Sequence, residues 1–378
     1  MATVLAFGYN GWHQLQPQAE PTESQKDTLS TTARIRSLPI SLPDCHRVLA
    51  ATWDTVVLAR SVAISDTAES TGILELHGRI SRRIPWESGL LSELARVHLV
   101  HERVLVLTQD RRLLLVQRTG EVYTVAQHCL DVAVSGDEQT VVTIEPAHDG
   151  DHDSAGVLYV YNVHTILCMP ASKVAATSLP VQGELFVRVA AGYNHFLAQS
   201  KRNEVFSWGS ARQLGHGDTQ DLEQPHVIAS LQGLAVTQMA CGAFHSAVIS
   251  DSGDLYTFGW NQYGQLGVDE ETNGADEHPS AGAVQLVTFG STNDGDHDHV
   301  DDLETAVVSV ACGEGHTVAI LSDGSAWSCG WGKYGQLGNG PATGSTQRFA
   351  RIPLPAVEKG RRAVHCMCGP WTTFITMA

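Results

Sequence analysis

Apolar positions in this chain fall into short runs of β-branched and aromatic residues, separated by turns that carry glycine. Two stretches show the pattern plainly. One reads MACGAFHSAVISDSGDLYTFG and ends at Gly259; the other reads VACGEGHTVAILSDGSAWSCG and ends at Gly330. In each, Cys-Gly-x-x-His opens an apolar run, a turn with glycine interrupts it, and a second run closes on glycine. Such runs predict antiparallel strands joined by tight turns.

The two stretches are copies. Gly242, His245, Gly253 and Gly259 recur 71 residues later as Gly313, His316, Gly324 and Gly330, and the tails GWNQYGQLG (259–267) and GWGKYGQLG (330–338) nearly coincide. A third copy, VAAGYNHFLAQSKRNEVFSWG, places Gly192, His195 and Gly209 50 residues before their counterparts, with a shorter tail, SARQLG. The three glycines of each long tail predict positive φ or close backbone approach. The repeated histidine reads as a core hydrogen-bonding residue, because one phase in three copies means three separate structural units.

Fainter copies follow from the same frame. Gly136 and Gln139 fall at the Gly and His positions of one, and Ala51 and Asp54 at those of another. RVLVLTQDRRLLLVQ (103–117) keeps two apolar runs and a turn without the glycines. MCGPWTTFITMA supplies half a unit with Thr372 in the histidine place, and AFGYNGWHQL (6–15) resembles the missing half, TFGWNQYGQL. Units begin near residues 51, 100, 136, 192, 242, 313 and 369. The prediction is an all-β chain, one single seven-bladed β-propeller over 1–378, closed by pairing 361–378 with 1–15. Its repeats are well marked over 186–267 and 306–338 and degenerate over 45–165.

Cys-Gly-x-x-His-(Ser/Thr), Asp-Gly, Trp/Phe-Gly and Gly-Gln-Leu-Gly in series resemble the repeat of the regulator-of-chromosome-condensation family (RCC1-like), whose members form seven-bladed propellers. The opening FG, the acidic insert after GWNQYGQLG and the ending CGPWTT are most similar to small single-propeller members. That resemblance implies a non-enzymatic binding partner of a JmjC-type 2-oxoglutarate-dependent oxygenase acting around chromatin. The founding member implies an alternative, a guanine-nucleotide exchange factor for a Ran-like small GTPase. The Gly-Trp-Arg-His-Thr motif of plant light-sensing relatives is absent.

Charge narrows the partners. With 41 Asp and Glu against 24 Lys and Arg, the formal net charge is −17, which disfavours direct nucleic-acid binding and favours a basic protein surface. No apolar run approaches a membrane span and no signal peptide is legible, so the expectation is a monomeric propeller in the nucleus or cytoplasm. Eight cysteines without a CxxC pair read as reduced thiols rather than a zinc site. No GxSxG, P-loop, HExxH or GxGxxG pattern marks catalysis, and neither cofactor nor metal is expected.

Two kinds of site remain. DGDHD occurs at 149–153 and 294–298, where carboxylates interleaved with imidazoles read as a solvated acidic loop or, in the alternative, as ligands for a divalent cation. The interval 268–303, which holds the second, predicts a mobile acidic insert or a lure for a basic protein surface. Trp260 with Tyr263, and Trp331 with Tyr334, occupy one loop in two copies, either wedged over the next unit or exposed to a partner. Lys333 and Arg212 share that loop in their units and are expected as rim charges.

Overall fold

The computed structural model describes residues 3–9, 35–41, 46–52, 55–63, 70–78, 82–86, 94–117, 119–147, 155–168, 176–218, 220–268, 282–290, 305–339, 344–354 and 362–378. Both DGDHD motifs and residues 10–15 lie outside them. The described strands form seven four-stranded antiparallel sheets. Six are continuous in sequence: I (46–86), II (94–126), III (131–179), IV (186–227), V (236–286) and VI (307–351). Sheet VII takes strands from both ends of the chain, ordered Ile35–Ser41, Thr3–Tyr9, Thr372–Met377, Ala363–Gly369.

The first strand of each sheet packs against the first strand of the next, and Ala363–Gly369 of sheet VII returns to His46–Ala51 of sheet I. The result is an all-β propeller. Its apolar side chains cluster between sheets: Ile249 and Leu255 of sheet V meet Val310 and Ala319 of sheet VI, while Phe7 and Ile375 of VII meet Val318 and Ile320 of VI. A sheet so built hides its apolar face only against neighbours, which explains why the sequence repeats as it does.

The first strands are also tied by polar side chains at one repeated place. The carboxylate of Asp131 in sheet III accepts from the Arg96 guanidinium of sheet II at 2.6 Å and from the Val189 amide of sheet IV at 2.9 Å. Arg188 donates to the Thr237 carbonyl, and Gln238 bonds Val310 through both ends of its amide, at 2.8 and 3.2 Å.

Strand register corrects the faint copies. His195 pairs with Gly209, and the Gly192 amide donates to the His195 carbonyl. The same relations hold for Thr52 and Thr55 in sheet I, where Thr55 pairs with Gly78, one residue beyond the expected Ala51 and Asp54. In sheet III they hold for Ser135 and Thr140 rather than Gly136 and Gln139, because that connection is longer. Thr372 does stand in the histidine place, paired with Gly8. The interval 268–303 also differs from a plain insert: Gln285–Leu286 is the outer strand of sheet V, followed by the buried Val287.

Candidate protein-binding face

Three buried histidines clasp successive sheets. His195 Nε2 lies 2.8 Å from Ser246 Oγ, His245 Nε2 2.8 Å from Thr317 Oγ1, and His316 Nε2 3.0 Å from Thr373 Oγ1. Thr317 already donates to the Gln265 carbonyl at 2.6 Å, and Thr373 to the Gln336 carbonyl at 2.7 Å. A hydroxyl has one proton, so each threonine accepts from an imidazole N–H, and His245 and His316 carry their proton on Nε2. Burial holds all three neutral, with pKa lowered to about 4 for His195 and His316 and about 3 for His245, where the neighbouring histidines add to the effect. These residues are structural, as read from the sequence. Replacing Thr317 with Val is expected to strand the His245 N–H and cost about 1–3 kcal/mol, read as a lowered denaturation midpoint.

The preceding glycine follows from the same clasp. A Cβ at Gly242 would lie 2.4 Å from the His245 ring and 2.4 Å from the Gly313 carbonyl oxygen, so only glycine lets the ring and the next sheet approach.

The Gly-Gln-Leu-Gly tails hold the hydroxyls in place. In sheet V, Gly259, Gly264 and Gly267 have φ of 112°, 80° and 69°; in sheet VI, Gly330, Gly335 and Gly338 have 98°, 77° and 66°. Positive φ is required at all six, the expected reason for writing the tail twice. The turn is fastened by Thr257 donating to the Leu266 carbonyl and Ser328 to the Leu337 carbonyl.

These tails lift the predicted aromatics onto one surface. Trp331 stacks on Tyr263 of the preceding sheet's tail, with centroids 5.6 Å apart, then meets Tyr334, which meets Trp371. Trp331 is therefore a wedge between repeats. Trp260 stacks on Phe244, which in turn faces Tyr193. Trp260 is 40% exposed and Tyr193 41%, so this second arc opens to solvent, as does Tyr263, 37% exposed, at the end of the first. Lys333 lies exposed with its ammonium 5.7 Å from the Tyr334 centroid. Arg212 stands apart on the one-turn 3-10 helix Ala211–Gln213, beside Gly282.

Both arcs reach the hub of the ring, where a cavity of about 1030 Å³ opens. Every sheet contributes: Thr52, Glu102, Asp137 and Tyr193 from sheets I to IV, and Phe244, Glu314 and Trp371 from V to VII. Tyr193, Phe244, Glu314 and Trp371 were not anticipated. They occupy the two places between Gly and His (or Thr372) that differ from copy to copy while their flanks repeat, and that contrast was the available signal. Among the described residues no group of three or more His, Cys, Asp or Glu is placed to hold a metal ion, and no helix is long and apolar enough to cross a membrane.

Sheets that complete their cores only against neighbours make this a repeat-built all-β propeller. Its lineage is shown by sequence. The Regulator of chromosome condensation (RCC1) repeat model matches residues 202–249, 252–320 and 323–376, and a second model of that repeat matches 236–265 and 307–336. Human RCC1 domain-containing protein 1 is 32% identical over 273 residues, covering 64% of this chain and 70% of that protein. The Ultraviolet-B receptor UVR8 of Arabidopsis thaliana is 36% identical over 169 residues, 43% of this chain and 34% of the receptor. The chain belongs to the RCC1 repeat family. In fold it is similar to Prp20p from Saccharomyces cerevisiae, with a TM-score of 0.70 at 15% identity over 100% of this chain and 91% of that one. Human WBSCR16 gives 0.66 at 17% identity, over 100% and 98%.

Proposed function

We propose that this protein is a non-enzymatic interaction scaffold, a ring of seven blades closed by the pairing of its two ends, whose working surface is the aromatic face around the hub. The observation that carries this reading is the exposure of Trp260, Tyr263 and Tyr193, large rings in stacks that run to the cavity, which Tyr193 itself lines. Amphipathic rings of this kind anchor protein partners. Lys333 and Arg212 would act as peripheral charges that affect association rate. The partner we propose is a JmjC-type 2-oxoglutarate-dependent oxygenase in chromatin regulation, met in the nucleus or cytoplasm; its support is the likeness to small single-propeller relatives.

Affinity capture of the tagged full-length chain from its own cells, with mass spectrometry, tests this. Near-equal recovery of a JmjC-type oxygenase is expected, and W260A with Y263A should lower that recovery while still unfolding cooperatively. A second reading is guanine-nucleotide exchange on a Ran-like GTPase. The fold likeness to Prp20p, whose structure was described together with its binding to Gsp1p and histones, favours it. Recovery of a small GTPase in place of an oxygenase, with accelerated release of bound nucleotide, would establish that reading instead.

A further inference from the structure

The hub cavity has a character of its own. Its charged wall is of one sign: Glu102, Asp137 and Glu138 stand on sheets II and III, and Glu314 faces them from sheet VI. Among the described residues neither Lys nor Arg lines it. The one imidazole among them, His101, lies with Nδ1 3.4 Å from Glu138, whose carboxylate also accepts from the His101 amide, which leaves Glu102, Asp137 and Glu314 as the other acids of the wall. Between the carboxylates stand the rings of Tyr193, Phe244 and Trp371. Aromatic faces attract ammonium and guanidinium groups, most strongly where water is partly excluded. Glu314 is the telling residue. It is half-buried, burial pushes its carboxyl pKa up, and the opposing influence is the neutral indole N–H of Trp371 rather than a cation. At about 1030 Å³ the space suits several residues of peptide rather than a single ion.

We infer that this mouth receives an extended basic segment of a partner protein, with Lys or Arg side chains set between the carboxylates and the aromatic rings. The inference rests on the protein-binding reading above and supplies the chemistry of what is bound. A nucleic acid strand is excluded by the same carboxylates, which would repel its phosphates.

The test uses the full-length protein and a fluorescein-labelled nine-residue peptide of alternating Arg and Gly, followed by anisotropy at 50 and 150 mM salt. A second peptide carries citrulline in place of each arginine, matching its shape without charge. The arginine peptide is expected to bind, more tightly at low salt, and the citrulline peptide is not. E314Q combined with E102Q is expected to weaken binding about tenfold, and Y193A to weaken it at unchanged salt dependence. Should the double variant melt early, Y193A carries the test alone, because that ring projects from the mouth. Absence of binding, or equal affinity in folded variants, would overturn the inference; the latter would assign the peptide to acids elsewhere, such as those of 268–303. A protein that captures its partner yet ignores the peptide refutes this inference alone. One that binds the peptide and captures no partner refutes the scaffold reading alone.

Discussion

Deletion of residues 1–15 is expected to abolish the cooperative thermal transition and leave aggregating material. Thr3–Tyr9 is an internal strand of sheet VII, paired on one side with Ile35–Ser41 and on the other with Thr372–Met377, from Thr3 opposite Met377 to Gly8 opposite Thr372. Val4, Leu5, Ala6 and Phe7 are buried, the last completely. Burying Val, Leu and Phe contributes roughly 1.5–3 kcal/mol each, so the strand supplies about 6 kcal/mol before its hydrogen bonds are considered. That is comparable with the whole stability of a typical domain, about 5–15 kcal/mol. The deletion also exposes the edge of Thr372–Met377 as a template for another chain. Circular dichroism with size-exclusion chromatography reads the outcome. A truncated chain that remains monomeric and melts with the full-length protein would show that the ring does not depend on this strand.

Acid should be nearly as damaging, well before most carboxylates titrate. His195, His245 and His316 are buried and neutral, and His98 is likewise lowered to about 4, by burial first and the nearby Arg96 second. Their folded pKa values lie below the unfolded value of about 6.5. The unfolded chain therefore takes up protons first. Their contribution is fully present above pH 6.5 and is lost progressively as pH falls from there toward 4. Each such histidine removes about 1.4 kcal/mol per pH unit within the window, so four together remove about 5 kcal/mol per unit. Asp131 and Glu314 act oppositely, since burial raises their folded pKa, but they exert that effect lower, around the carboxylate range. Urea denaturation at pH 7.5, 6.5 and 5.5 is expected to show a steep fall between the last two. H245Q, which keeps a donor toward Thr317 without titrating, should flatten that slope by about a quarter. A stability that holds level from pH 7.5 to 5.5 would mean that these imidazoles are not sealed from water.

The legible parts of the sequence were those where geometry permits few residues. Between 186 and 338 the glycines that recur from copy to copy mark positive φ or contact with the clasping histidines, so each copy announces its register. Sheets I to III lack that constraint. The histidine place there holds Thr55, Arg103 or Thr140, and Arg103 bonds Gln117 at 2.5 Å where the better copies pair His with Gly. With no residue type enforced, spacing was the remaining guide, and a longer turn between Ser135 and Thr140 misled it. The clasps themselves join sheets IV through VII. The aromatic loop was legible because it repeats; the hub was not, because its residues are the ones that vary within a repeated frame. Tyr193, Phe244, Glu314 and Trp371 come together only once the ring brings four sheets to one centre.

The proposed binding of a protein partner depends most directly on the aromatic face. Its decisive measurement is a calorimetric titration of the purified partner recovered by capture against the wild-type protein and the W260A/Y263A variant. Each ring is 37–40% exposed, so the variant is expected to stay folded, with a melting temperature lowered only by the loss of the two stacks on Phe244 and Trp331. Loss of two anchors at about 2 kcal/mol each should weaken binding by two orders of magnitude or more. Equal affinity of the two proteins, both folded, would place the partner on another surface and contradict the reading.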